Sequence, residues 1–494
     1  MTAPATAPAG APVRWVWLAA AAGVLALVAL LPTPDGLAVA GQRALALLAF
    51  AIVVWITEAV SYPVSAALVI VLGALLLGFA PPAKGGGAPL GTSKALGQVL
   101  QGFASPAAAL VGAAVFLSAA MRRTGLDRRL ALLVLRRTGT SAAGALAGAL
   151  AVGIVLAFFV PSTTARVGAV VPIMSGMVGA MGLARDSRLA AGLMIASAHV
   201  ATIWNVAVKT AAAQNLLGVG LIQQALGRTV SWGAWFAWAA PWAVLMTGVL
   251  WVVVRRVIPP ERTDAAAGRA ALDAQLAALG PVGAAERRLV AIALALLALW
   301  ATEGTLHALD TSTTTLAAVA LMLLPRVGVL AWDDAERLVP WGTVLLFAVG
   351  ISLGGVLIDT GAARWLAEST LGRLGVSRMS PLGMVAGLSA LNVLVHLGFA
   401  SATSLAATWI PIVLAFVATL ARPDVSPLGM VLIQQFVVSF GFLLPVNSPQ
   451  NMVAYGSGAF TTRDFLRTGV WITLAAYLLL VLLAATYWRW TGLL

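Results

Sequence analysis

The sequence predicts an all-α polytopic membrane protein, and three observations carry that prediction. Of the 494 residues, 61% are hydrophobic and only 10% charged, against about 25% charged in an average soluble domain. Apolar stretches near the ~20 residues needed to span hydrocarbon recur along the whole chain. Gly (49) and Pro (24) are frequent inside those stretches, as where membrane helices pack closely or are broken. A soluble fold has too much exterior to hide this apolar surface. Soluble enzymes, nucleic-acid binders and disordered chains are therefore excluded as readings of the whole molecule. The net charge of +13 points to cytoplasmic loop ends, because the arginines cluster between apolar runs. Cysteine is absent, which removes disulfides, thiolate metal sites and cysteine nucleophiles.

In chain order, Met1–Val13 is rich in Ala, Pro and Thr and is expected to be disordered. Trp15–Leu31 follows the single charge Arg14 without a convincing cleavage site, so it reads as a retained helix. Spanning runs then fall at 42–60, 62–80, 105–121, 142–160, 187–204 and 230–254. A second series falls at 287–305, 312–330, 341–358, 383–398, 426–446 and 466–490. The stretches 161–183 and 400–420 begin too polar for ordinary spans and read as second arms of re-entrant hairpins. Around 205–220 and 447–460, Gly, Asn, Gln and Ser interrupt apolar sequence. Unsatisfied backbone in lipid costs several kcal/mol per group, so such breaks must be buried in protein or line a wet cavity. Arg122–Arg137 reads as a cytoplasmic amphipathic helix, and the Arg-rich segment 255–286 as a cytoplasmic linker.

The two halves echo one another in order. Trp55-Ile56-Thr57-Glu58 recurs as Trp300-Ala301-Thr302-Glu303, and Ser162-Thr163-Thr164 before Val171-Pro172-Ile173 recurs as Ser401-Ala402-Thr403 before Ile410-Pro411-Ile412. Gln214-Asn215 recurs as Gln450-Asn451. The organisation is thus a first repeat (14–254) with hairpin 142–183 and broken helix 187–220. After the linker comes a second repeat (287–494) with hairpin 383–420 and broken helix 426–460. The counterpart of the Arg-rich segment, 360–378, carries few arginines and is expected outside, so the repeats are inverted, as in secondary transporters.

Hairpin tips and helix breaks come in matched pairs. They bring Ser162, Thr163, Thr164, Ser401, Ala402, Thr403, Asn215, Ser448, Gln450 and Asn451 toward one pseudo-twofold axis. Hydroxyls, amides and helix N-termini suit an anion with two oxyanion groups. Lys209, at the first break, and Arg166, beside the first tip, are the deep cations. A buried charge in a membrane segment is a functional candidate by default. Ser and Thr that only bond back to helix carbonyls are the bland alternative, weakened by the repetition. His199 and His396 read as core histidines, and Glu58 and Glu303 as helix-end carboxylates pairing with neighbouring groups. No metalloprotease, phosphate-loop or nucleophile-elbow motif is present, so the chain is not read as an enzyme.

At these residues the sequence resembles the divalent anion/sodium symporter family of di- and tricarboxylate and sulfate transporters. The resemblance rests on Phe103-Ala104-Ser105-Pro106, Val160 through Arg166, His396 through Pro411, and Leu444 through Asn451 with Tyr455-Gly456-Ser457-Gly458. The first tip looks most like the citrate/succinate antiporter and plastid 2-oxoglutarate/malate translocator branch. The resemblance implies substrate contacts by the tip residues, sodium as a coupling ion, and a homodimer with an elevator-like movement in a cell inner membrane. Each tip in the family typically carries Ser-Asn-Thr, but here both asparagines are replaced, by Thr163 and Ala402. Losing oxygen ligands weakens a hard-cation site, and a nearby ammonium repels sodium. The expectation is sodium-independent exchange of small dianions such as succinate, malate or 2-oxoglutarate, with Lys209 standing in for the ion. Sodium-coupled symport ranks second and an inorganic-ion antiporter third. The expected partners are the small dianion, the lipid bilayer and a second copy of the chain. No nucleic acid or resident cofactor is expected.

Overall fold

The computed structural model describes residues 13–81, 88–261, 263–420 and 422–494. Residues 1–12 of the N-terminal segment expected to be disordered lie outside these. Among the described residues the secondary structure is helical, and eight helices are long and apolar enough to cross a membrane. The chain is an all-α polytopic membrane protein.

The first hairpin is formed by Ala142–Phe159 and Thr163–Ala180. Ser141 and Ser162 cap its two arms, each accepting a backbone N–H of the first turn, so each arm starts where the sequence supplies an N-cap. Pro381–His396 and Ala402–Thr419 form the second hairpin, capped by Ser380 and Ser401. The two tip serines share one extended conformation, φ −145°, ψ 110° at Ser162 and φ −142°, ψ 121° at Ser401.

The first broken helix runs Arg188–Ala207, unwinds through a short 3-10 turn at Lys209–Ala211, and resumes as Ala213–Leu226. The second runs Pro427–Val437, carries its 3-10 turn at Pro445–Asn447, and resumes as Pro449–Tyr455. Both helices restart from an extended residue, Ala212 (φ −150°, ψ 143°) and Ser448 (φ −155°, ψ 140°), 236 positions apart. Asn215 and Asn451, also 236 apart, donate from Nδ2 to the carbonyls of Asn205 (2.6 Å) and Gly441 (2.8 Å). Each asparagine thus satisfies a carbonyl orphaned by its own break.

The second break differs from its sequence reading. The run 426–446 was expected to span, with the break at 447–460. Instead the helix ends at Val437 and residues 438–448 are the unwound part. The unwound chain is itself apolar (Val438, Phe440, Phe442, Leu443, Leu444), so composition conceals it. Packing supports it: a Cβ on Gly469 would overlap the Phe442 carbonyl oxygen, so Thr462–Ala485 lies directly against unwound backbone.

The linker also holds a helix, Ala265–Ala278. It sits beneath the first hairpin, with Thr140 Oγ1 donating to the Ala265 carbonyl (2.6 Å) and Gly268 against Met181. The Arg-rich segment forms the helix Leu126–Thr138 on the same side, where Arg129 pairs with Glu286 at 3.0 Å. The second hairpin's base lies on the opposite side. Trp232–Val257 leads into the linker, and Thr462–Ala485 runs antiparallel to it, Trp242 Nε1 reaching the Ala476 carbonyl and Tyr487 Oη the Ala237 carbonyl. The chain's last residues therefore end away from the linker. There Leu493 packs on Gly429, and Leu494, Asp424 and Pro381 at the second hairpin's base line one pocket. The hairpins enter from opposite sides.

Candidate substrate-binding site

Both hairpin tips and both breaks line one cavity of about 650 Å³. Ser162, Thr163, Thr164, Ser401, Ala402, Thr403 and Ser448 all face it, with Gln214 and Gln450. The N-termini of Thr163–Ala180, Ala213–Leu226 and Ala402–Thr419 are aimed there, and their partial positive charge favours anions. Ser162 and Ser401 accept a backbone N–H from their own helices, which leaves the Ser162 hydroxyl hydrogen to reach a ligand, while Ser401 also faces the Tyr62 hydroxyl across the cavity. From the tips the lining continues through Val115 and Ser118 to Arg122 and Asp127, on the side of the linker. Burial pushes the Asp127 carboxyl above its ordinary value, while the Arg128 amide and the Arg122 charge pull it down.

Four of the expected residues do not line this cavity. Asn215 and Asn451 spend their amide nitrogens on the backbone of the breaks. Lys209 points the other way: its Nζ donates to the Val230 carbonyl (2.7 Å) and Thr311 Oγ1 (3.3 Å). Thr311 Oγ1 in turn donates to Glu303 Oε2 at 2.7 Å, and Glu303 also accepts the amides of Thr311 and Trp232. Lys209 thus has an acid one hydroxyl away, and it donates outside the cavity. Sequence leaves the direction of this side chain open, since a single break residue can face either side.

Arg166 is the fourth, and it lies just behind the cavity wall, 1% exposed. Its Nη2 donates to Thr163 Oγ1 (3.2 Å), the Ala211 carbonyl (3.2 Å) and Asn205 Oδ1. Nε and Nη1 have no partner among the described residues. The guanidinium therefore occupies the oxygen cluster between tip and break. Asn447 ties the second tip to its break in the reverse sense, donating to the carbonyls of His396 (3.1 Å) and Phe399 (3.2 Å).

Asn205 is the site residue that sequence reading missed. Its Oδ1 accepts from both Thr163 Oγ1 (3.0 Å) and Arg166, so its amide cannot turn over. Its Nδ2 makes no hydrogen bond among the described residues, and the residue lines the cavity. A fixed amide donor stands where the tip asparagine is missing. The equivalent position in the second repeat is Gly441, which Ser448 Oγ and the His396 ring crowd. His199 is wedged between Phe442 and Phe465, outside the cavity.

The arrangement offers hydroxyls, one pinned amide, helix N-termini and an embedded cation to an anion. A family model described as the sodium:sulfate symporter transmembrane region matches residues 12–494. A protein from Cupriavidus necator, described only as a membrane protein, is 48% identical over 97% of this chain and 93% of its own length. The L-tartrate/succinate antiporter of Escherichia coli is 29% identical over 95% of this chain and 96% of its own. Among solved structures, the YdaH transporter of Alcanivorax borkumensis shares the fold with a TM-score of 0.56 at 14% identity, covering 85% of this chain and 97% of that one. The chain is a transporter and not an enzyme, and it belongs to the sodium:sulfate symporter family.

Proposed function

We propose that this protein exchanges small dicarboxylates across a bacterial inner membrane without sodium. The carrying observation is the Arg166 guanidinium in the oxygen cluster of the first tip and break. A tethered cation there repels a second one at close range and supplies the positive charge that a coupling ion would bring. The role expected of Lys209 passes to Arg166. One substrate carboxylate then meets the Ser162–Thr164 turn and Asn205 Nδ2, and the other meets Ser401–Thr403 and Ser448. The relative named an L-tartrate/succinate antiporter supports both the substrate class and the exchange mode. The bacterial origin of the relatives supports the location.

The family's homodimer, and the movement of hairpins and broken helices past the remaining helices, belong to this proposal. The cavity's continuation to Arg122 and Asp127 supports an inward-open state.

Sodium-coupled symport is the second reading. It is favoured by Asn451 Oδ1, buried at the second break without a donor among the described residues, which is an acceptor suited to a hard cation. Counterflow of labelled succinate in proteoliposomes decides between them. Equal rates in sodium and in choline support exchange without sodium. Uptake that needs sodium and no internal dicarboxylate supports symport.

A further inference from the structure

Gln214 and Gln450 are two cavity residues not yet given a role. They stand two positions after the residues that restart the broken helices, 236 apart, and both line the cavity. Each sends its amide nitrogen across to the other repeat. Gln214 Nε2 donates to Ser439 Oγ (3.3 Å), and Gln450 Nε2 donates to Thr202 Oγ1 (3.0 Å). Thr202 spends its own hydrogen on the Ala198 carbonyl at 3.0 Å, so toward Gln450 it can only accept. That fixes the Gln450 amide with its oxygen turned away from Thr202.

Neither glutamine Oε1 accepts a hydrogen bond from the described residues, and neither is among the fully buried unpartnered atoms. Both residues are nearly buried, at 7% and 6% exposure, so the cavity is where these oxygens find solvent.

A carboxylate cannot satisfy a carbonyl oxygen, because both are acceptors. A hydroxyl can. We propose that Gln214 and Gln450 are a pair of hydroxyl acceptors that select four-carbon dicarboxylates hydroxylated on both central carbons. This rests on the dicarboxylate reading of the same cavity. With one carboxylate at each tip, the central carbons lie between the repeats, where the two glutamines stand. Succinate offers them only methylenes, and each oxygen would then keep a trapped water or go unpaired.

The symmetry sharpens the inference. Two acceptors related by a pseudo-twofold axis match two hydroxyls related by a twofold axis. The chiral threo diastereomers of a 2,3-dihydroxy diacid have that axis, and the meso diastereomer does not. The site should therefore rank a threo acid first, the monohydroxy acid next, and the unsubstituted acid last, with the meso acid below the threo.

The test is competition against labelled succinate counterflow in proteoliposomes, using D- and L-tartrate, meso-tartrate, malate and succinate. The expected half-inhibiting concentrations fall about tenfold per productive hydroxyl, the scale of one unmade hydrogen bond. In Gln214→Met and Gln450→Met, the advantage of threo-tartrate over succinate should shrink about tenfold. A wild type that treats tartrates, malate and succinate alike overturns the proposal, and so do variants that weaken every acid equally, the mark of a structural brace. If the variants do not fold, the wild-type series still decides. If no dicarboxylate exchanges or competes, the underlying reading of the cavity fails instead, and that outcome is distinct.

Discussion

Among the described residues Arg166 is a buried cation held by three oxygens and no acid, whereas Lys209 reaches Glu303 through one hydroxyl. Their replacements should behave oppositely. Arg166→Gln removes the charge beside the anion and frees Asn205 to turn, so substrate affinity should fall at least tenfold, the loss of about 1.5–3 kcal/mol expected for a charged hydrogen-bonding group. Counterflow at graded succinate concentrations reads this. Lys209→Met removes the donor to the Val230 carbonyl and the Thr311 hydroxyl and the cation nearest Glu303, and a buried acceptor left unpaired costs about 1–3 kcal/mol. Its thermal midpoint should fall while the half-saturating succinate concentration stays near wild type, and adding Glu303→Gln should restore much of the midpoint. A selective loss of substrate affinity in Lys209→Met would return the lysine to the site.

The tips were legible at this scale because Ser and Thr must face something when they repeat in two apolar hairpins. Asn205 was not legible. Whether it faces the cavity depends on where its helix unwinds, and that is fixed by Val208 and Ala212 turning extended.

At the scale of elements, the hairpins were readable from polar starts and N-capping serines, and the first break from its Lys, Gln and Asn. The second break hid because its unwound residues are apolar and it is stabilised by packing. Gly469 is the point where that packing has no slack. Gly469→Val would push a side chain into the Phe442 carbonyl, and overpacking of this kind costs about 1–3 kcal/mol or more. The variant should melt several degrees lower and lose counterflow. Gly248→Val serves as the control, since nothing lies within 4 Å of a Cβ there, and it should retain both properties. The amphipathic reading of Leu126–Thr138 missed its buried partner, because Glu286 lies 157 residues away and no local pattern links the two.

For the whole molecule, the inverted duplication was visible as ordered motif matches, and it accounts for the pairing of tips, breaks and restarting residues across one cavity. The central claim is that both tips hold the same dianion at once. The chain contains no cysteine, so single cysteines can report on each tip. Ala165 and Ala402 both line the cavity, one at each tip. The decisive measurement is the rate of maleimide labelling of Ala165→Cys and Ala402→Cys over a range of succinate concentrations in exchange-active proteoliposomes. Protection of both positions with one common half-effective concentration is expected. Protection of one tip alone, or of neither while succinate still exchanges, would contradict the shared site.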